Sequence, residues 1–467
     1  MPDLKQEIKF GTDGWRGVIS DNFTFANVRK VARAIAEYYL SLNTYPLPLK
    51  IAVGYDTRFL SKEFAQAVSG ILIANGIDVV LSDRAIPTPT LSFAVRQGKL
   101  TAGVMITASH NPYSYNGIKI KTSSGGAAGT EVTKEVEELL AHPKKLSAKR
   151  QGKLVKLDMV SDYVKFLRSY IDFKKLKNAK FKVLVDAMHG SGNSLLKDVL
   201  KGTKIKLEFM RQEVNPSFGG LRPEPVLENL APTIARIKKG NYDLALVLDG
   251  DADRIAAFAG KGEFVYPQKI LGLLALHLHE DRKMSGGIVK TLVGTNLINN
   301  IAKGLGMRLY ETPVGFKYIS ELMQTKDILV GGEEAGGMGF KGYIPERDGS
   351  LAGLLLLEMM VYRKKSMIKI LREMEKKYGR YYYEREDLRI SNLKFDHQKV
   401  KNIKELAGEK VVDIKDYDGV KLICRDNSWL IFRASGTEPI IRIYAESKSL
   451  AQSKRMVSLG KSIVLKG

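Results

Sequence analysis

Apolar and polar positions alternate along the first third of the chain with two distinct periods. "NVRKVARAIAEYYL" places Val28, Val31, Ala32 and Ile35 on one helical face, and "KEFAQAVSGILIANG" reads as a second helix closed by Gly76. Around them, "KIAVGYD" and "IDVVLSD" read as short strands, and a further helical stretch leads to the apolar strand "TAGVMIT". After a basic, polar segment around 143–154 the alternation restarts. It runs through "FKVLVDA" as strand, "SLLKDVLKG" as helix, then "KLEFM" and "YDLALVLD" as strands. A third round follows in "KILGLLALHLHE", "GIVKTLV", "NLINNIAKGLG", "FKYISELMQ" and "DILVGGEE". The tail differs: "SWLIFRAS" and "PIIRIYAES" are close strands, followed by a helix starting near Ser447.

This repetition predicts an α/β protein of four domains. Three are similar α/β domains with mainly parallel mixed sheets, and the fourth is a C-terminal α+β domain. The expected seams give 1–152, 153–257, 258–370 and 371–467. In open α/β sheets ligands collect at the carboxyl ends of strands. The chemically loaded loops fall there, after "VMIT", "LALVL" and "DILV", and a fourth lies between the two tail strands. One such loop per domain implies an active-site cleft assembled at the domain junction.

Composition narrows the class. The 44% apolar and 27% charged residues are those of a globular protein, and at 467 residues several cores are required. No apolar run approaches the ~18 residues of a membrane span, the nearest, "LAGLLLLEMMVY", being broken by Glu358. "MPDLKQEIKF" lacks the apolar core of a signal peptide, and a single cysteine, Cys424, suits a reducing compartment; a cytoplasmic location is expected, with no membrane partner. The net charge of +23 comes from 74 basic and 51 acidic residues. Lysines lie in dispersed pairs, at 144–145, 174–175 and 364–365, not in one basic tract. That pattern favours a lysine-rich surface with basic clefts for small phosphorylated substrates over a nucleic-acid partner.

Four loops carry the chemistry. In "TASHNP", Ser109 and His110 on an extended chain point to opposite faces, so His110 is badly placed as a base for its neighbour. Asn111-Pro112 favours a turn that lifts Ser109 out of the sheet; a plain strand-ending turn is the simpler alternative. In "DGDADR", Asp249, Asp251 and Asp253 follow a buried strand. Three such carboxylates repel unless a cation neutralises them, and all-oxygen ligation points to a hard ion such as Mg²⁺. Arg254 beside them suits a phosphate. "GGEEAGGMGF" lets backbone approach a ligand while Glu333 and Glu334 offer acceptors to hydroxyls. "RASGTEP" offers Arg433, Ser435, Gly436 and Thr437 to a phosphate that is held, not transformed. Together they describe phosphoryl transfer on a small polyol phosphate, where positioning and charge neutralisation do most of the catalysis.

On these residues the chain resembles the α-D-phosphohexomutases, the phosphoglucomutase/phosphomannomutase group. "FGTDGWRG", "TASHNP", "DGDADR", "TPVGFKYI", "GGEEAGG" and "RASGTEP" occur in the family's order along the whole length. The resemblance implies a heart-shaped, four-domain enzyme whose Ser109 carries phosphate and, with Asp249, Asp251 and Asp253, binds one Mg²⁺. It implies exchange of phosphate between C1 and C6 of a hexose through a hexose 1,6-bisphosphate, which also serves as activator. Arg16, His110, Lys119 and Arg254 match positions around the transferring phosphate, Lys119 as a candidate acid/base. Lys317 matches a position near the sugar, and Arg433, Ser435, Gly436 and Thr437 match the clamp for the other phosphate. One departure concerns the sugar loop, usually Glu-x-Ser-Gly: here Glu333 is kept and Ala335 replaces the serine. A lost hydrogen bond of that kind costs about 0.5–1.5 kcal/mol, enough to shift sugar preference. Glucose or mannose is ranked first and glucosamine second, in a monomer or homodimer. An aspartate-based phosphatase and a basic nucleic-acid-binding protein are the competing readings.

Overall fold

The computed structural model describes residues 8–42, 45, 48–144, 150–389, 397–434 and 440–465. Its strands form four sheets, of six, five, four and six strands. The first three repeat one plan. Three parallel strands are followed by an antiparallel fourth, in the spatial order fourth, third, first, second. In the first sheet these strands are Lys50–Tyr55, Asp78–Ser82, Ala102–Ile106 and Tyr115–Thr122. In the second they are Lys182–Asp186, Lys206–Met210, Leu244–Leu248 and Ile255–Ala259. The third has Gly287–Thr291, Leu309–Thr312, Ile328–Gly332 and Met338–Phe340, but here the order along the sheet is second, first, third, fourth, which is the same order read from the other edge.

Each turn from third to fourth strand therefore leaves the carboxyl end of a buried parallel strand. These three turns hold "TASHNP", "DGDADR" and "EEAGG". The fourth sheet is antiparallel throughout, and its strands Trp429–Ala434 and Ile440–Ser447 flank the fourth loop.

The sheets correct the expected seams. Leu154–Leu157 pairs with Asp78–Ser82 and completes the first sheet, so a division at 152 strips off its edge strand. A division at 257 cuts through Ile255–Ala259, and Glu263–Val265 extends the second sheet further. A division at 370 cuts the helix Met367–Tyr378, which packs into the same core as the third sheet. The seams followed restarts of the alternation, whereas strand pairing and shared burial decide where a unit ends.

The all-apolar segment "LAGLLLLEMMVY" becomes the helix Gly349–Arg363, buried around nearly its whole circumference. Asp348 caps its start, accepting from the Leu351 amide at 2.8 Å. The helix lies in one continuous core shared by the second and third domains, which is why it shows no polar face. Glu358 is tolerated inside because the Asp172 amide, at 2.8 Å, and His277 Nε2, at 3.1 Å, satisfy its carboxylate. Among the described residues no helix is long and apolar enough to cross a membrane.

Candidate active site

The strand Ala102–Ile106 is wholly buried and delivers the chain into the first loop. There Ser109 sits buried with a left-handed φ of +52°. That conformation costs a residue with a Cβ about 1–3 kcal/mol, so the surroundings must impose it. Thr107 Oγ1 accepts from the Ser109 amide at 2.9 Å, and the Asn111 amide closes the turn on Ala108 O at 3.0 Å. The Ser109 hydroxyl donates not to His110 but to Asp249 Oδ2, at 2.9 Å. His110 Nδ1 has no partner among the described residues. Burial, then the positive charges of Arg254, Arg16 and Lys119, hold the His110 pKa well below the usual imidazole value, so the ring is neutral. Arg16 Nη1 donates to Asn111 Oδ1 at 2.7 Å.

In the second loop Asp249, Asp251 and Asp253 are all fully buried. Gly250 makes their approach possible: a Cβ there would stand 2.5 Å from Ser109 O. Asp249 Oδ1 accepts from the Arg254 amide at 3.1 Å. Lys119 Nζ lies 2.8 Å from each of Asp251 Oδ2, Asp253 Oδ2 and Asp13 Oδ2. Thr88, opening the helix Thr88–Gln97 of the first domain, donates its hydroxyl to Asp251 Oδ2 at 2.5 Å.

Charge is divided unevenly among these groups. Burial and the neighbouring aspartates push the Asp249 carboxyl well above its usual range. Asp251 is buried too, yet Lys119 and Thr88 outweigh that and hold it low. For Lys119, burial disfavours the ammonium, but Asp13, Asp251 and Asp253 together raise its pKa. One oxygen from each loop aspartate lies within 4.8 Å of the others, and Asp251 Oδ1 and Asp253 Oδ1 are buried without a hydrogen-bond partner among the described residues. Orphaned buried carboxylate oxygens are costly. A hard divalent cation is the ligand that this donor set fits.

The third loop docks onto the second. The Ile255 amide donates to Gly336 O at 3.1 Å, and Gly336 has φ +100° with no room for a side chain against Ile255 O. Glu333 is buried, and burial raises its carboxyl pKa against the pull of Arg347 and Arg254. Arg347 Nη1 donates to Glu333 Oε2 at 3.2 Å, while its Nη2 lies 2.7 Å from Asp253 Oδ2 and donates to Asp13. One guanidinium thus joins three domains. Beside it, buried Lys121 pairs with buried Glu346.

Ser109, His110, Arg16, Lys119, Asp249, Asp251, Asp253, Arg254 and Glu333 therefore converge, with Ala335 two residues on in the same turn. Two expected residues make their contacts outside this cluster. Lys317 Nζ donates to Thr130 Oγ1 of the first domain at 2.7 Å. Arg433 Nε donates to Asp418 Oδ1 at 2.9 Å, and Asp418 Oδ2 accepts from the Val314 amide at 2.6 Å, tying the tail domain to "TPVGFKYI". Ser435, Gly436 and Thr437 lie outside the described residues. Reasoning from sequence missed Asp13, Thr88, Lys121, Glu346 and Arg347. Asp13 stood in view, three residues before Arg16 in "FGTDGWRG"; the others carry no local signal, being single side chains brought in by domain packing.

Comparisons with known proteins bear on the family and the domain order. Family models for the phosphoglucomutase/phosphomannomutase domains match in order: α/β/α domain I over 7–147, domain II over 161–262, domain III over 266–378 and the C-terminal domain over 389–458. A phosphoglucomutase/phosphomannomutase of Thermococcus kodakarensis is 31% identical over 97% of each chain. A phosphoglucosamine/phosphogalactosamine mutase of Sulfurisphaera tokodaii is 30% identical, over 97% of this chain and 98% of its own. The crystal structure of a Thermus thermophilus protein, assigned provisionally as a phosphomannomutase, superimposes with a TM-score of 0.88. It shares 35% identity and covers 99% of both chains.

Proposed function

The chain belongs to the phosphoglucomutase/phosphomannomutase family, whose members are hexose-phosphate mutases, and from that premise we propose that it interconverts hexose 1-phosphate and hexose 6-phosphate by way of phosphate carried on Ser109. The observation that carries the reading is the Ser109 hydroxyl bonded to Asp249 within the aspartate cluster. Asp249, Asp251 and Asp253, with a phosphate on Ser109 Oγ, are the ligands for Mg²⁺, which when bound would neutralise charge on the phosphoryl group. Ser109 phosphate passes to the free hydroxyl of the sugar phosphate as the P–O bond to the serine breaks, giving a hexose 1,6-bisphosphate, with the hydroxyl proton ending on Ser109 Oγ. The opposite phosphate then returns to Ser109, whose proton ends on the sugar oxygen it leaves. Arg16 and Arg254 balance the charge of the moving group. Neutral His110 serves as a hydrogen-bonding neighbour, not as the base of a Ser–His pair. Lys119 is the candidate acid/base; three carboxylates hold it as an ammonium and weaken it as an acid, so proton transfer in either direction requires it to leave those partners. Glu333 accepts sugar hydroxyls, and Arg433, Ser435, Gly436 and Thr437 hold the phosphate that does not react.

Glucose and mannose phosphates rank first as substrates. A glucosamine phosphate is the second reading, favoured by the amino-sugar mutase among the relatives and by "FGTDG" near the N-terminus. A coupled assay across the 1-phosphates of glucose, mannose and glucosamine, with Mg²⁺ and the matching 1,6-bisphosphate, tests both. Turnover of at least one, abolished in Ser109→Ala, is expected. Undiminished isomerisation by Ser109→Ala would remove Ser109 from its role.

A further inference from the structure

The left-handed backbone at Ser109 needs something to hold it, and the strongest candidate lies outside the groups assigned above. Arg58 follows the strand Lys50–Tyr55, and its side chain is fully buried. Its Nη1 donates to Pro112 O at 2.8 Å and Tyr115 O at 3.0 Å. Its Nη2 donates to Ser109 O and Asn111 O, both at 2.7 Å. All four terminal N–H groups of the guanidinium are thus spent on carbonyls of one loop. Only a planar fork of fixed geometry meets four such acceptors at once; a lysine offers three donors from one point.

The head is fixed in turn. Asp56 Oδ2 lies 3.3 Å from Arg58 Nε and accepts from Thr107 Oγ1 at 2.6 Å, the same hydroxyl that receives the Ser109 amide. Asp56 Oδ1 accepts from the Arg58 amide at 3.0 Å and from Ser61 Oγ at 2.7 Å. From the second domain, the Phe218 ring covers the guanidinium with its centroid 4.8 Å from Cζ.

We propose that Arg58, braced by Asp56 and covered by Phe218, is a positioning residue that holds the Ser109 loop in the one backbone conformation that presents the hydroxyl to Asp249. Its fully buried side chain acts through the loop. The inference rests on the reading of Ser109 as phosphate acceptor and adds a residue that acts through it. Losing the clamp displaces the nucleophile, and small misplacements of a reacting group cost about 100-fold in rate.

The test compares the parent protein with Arg58→Lys and Arg58→Ala under glucose 1,6-bisphosphate and Mg²⁺, following phosphate on Ser109 by intact mass and turnover by coupled assay. The expected result is a fall of about 100-fold in kcat and in Ser109 labelling, with KM within about threefold of the parent. Free guanidinium, and not methylammonium, is expected to restore part of the Arg58→Ala rate. Folded Arg58→Lys that labels and turns over like the parent overturns the inference. A parent that never takes phosphate on Ser109 overturns instead the reading of Ser109 itself. Should both variants fail to fold, ¹⁵N spectra of the unaltered protein decide. Separate, slowly exchanging Nη signals for Arg58 are expected, and freely rotating ones contradict the clamp.

Discussion

Asp251 shows how one side chain serves two charges at once. Its Oδ2 is taken by Lys119 and Thr88, while its Oδ1 stays buried and unpartnered. A cation supplied to that oxygen binds the folded state alone, and so stabilises it by about 2.7 kcal/mol at a hundredfold excess over Kd. Adding Mg²⁺ to EDTA-stripped protein is expected to raise the Tm and restore turnover. Asp251→Asn is expected to lose both responses; a variant that keeps the full Mg²⁺ shift would remove this residue from the metal site. The aspartate triplet was legible in the sequence because its ligands are near neighbours in the chain. The Lys119 contacts were not, because nothing local in "NGIKIK" tells that Asp13, Asp251 and Asp253 will meet there. Those contacts turn a candidate acid/base into a held ammonium.

At the scale of elements, the helix Gly349–Arg363 starts within the machinery. Its Gly349 amide donates to Ala252 O at 3.1 Å, and Arg347 stands two residues before it. Its cap, Asp348, is fully buried and accepts from the hydroxyl of Tyr163, which in turn meets Tyr343 at 3.0 Å. Burial raises the Asp348 pKa from 3.8 to about 6, more than the bonds from Tyr163 and the Leu351 amide lower it. The folded state therefore holds this proton more tightly than the unfolded chain. The stability it contributes is complete below about pH 3.8 and is lost as pH rises to about 6, a decline of up to about 3 kcal/mol. Asp348→Asn keeps the cap and stays neutral, so it is expected to flatten that decline in denaturant titrations; an unchanged pH profile would contradict the assignment.

Sequence periodicity placed many of the helices by their 3.6-residue repeat, and apolar runs placed most parallel strands of the first three sheets, which are buried on both faces. It did not identify the strands Leu154–Leu157, Leu309–Thr312, Tyr382–Arg389, Glu409–Lys415 and Val420–Cys424, none of which is an unbroken buried run except Val420–Cys424 in part.

For the whole molecule, the plan repeated in three sheets explains why three separate loops meet. Each of these sheets turns from its third strand into its antiparallel fourth at the same end, so each of the first three domains offers one hairpin to the junction. The sequence showed loops at strand ends, one per domain, but not the order of strands that makes the copies equivalent. Nor did it show the cross-domain ties, Arg347 to Asp13 and Asp253, or Asp418 to Val314. The central claim is that this junction exists to carry phosphate on Ser109. Intact-mass analysis after incubation with glucose 1,6-bisphosphate and Mg²⁺, set against Ser109→Ala and followed by peptide mapping, tests it most directly. One phosphate per chain, located on Ser109, removed by hexose phosphate and absent from the variant, is the result expected. Phosphate on an aspartate, or none on Ser109 under any of these conditions, would contradict it.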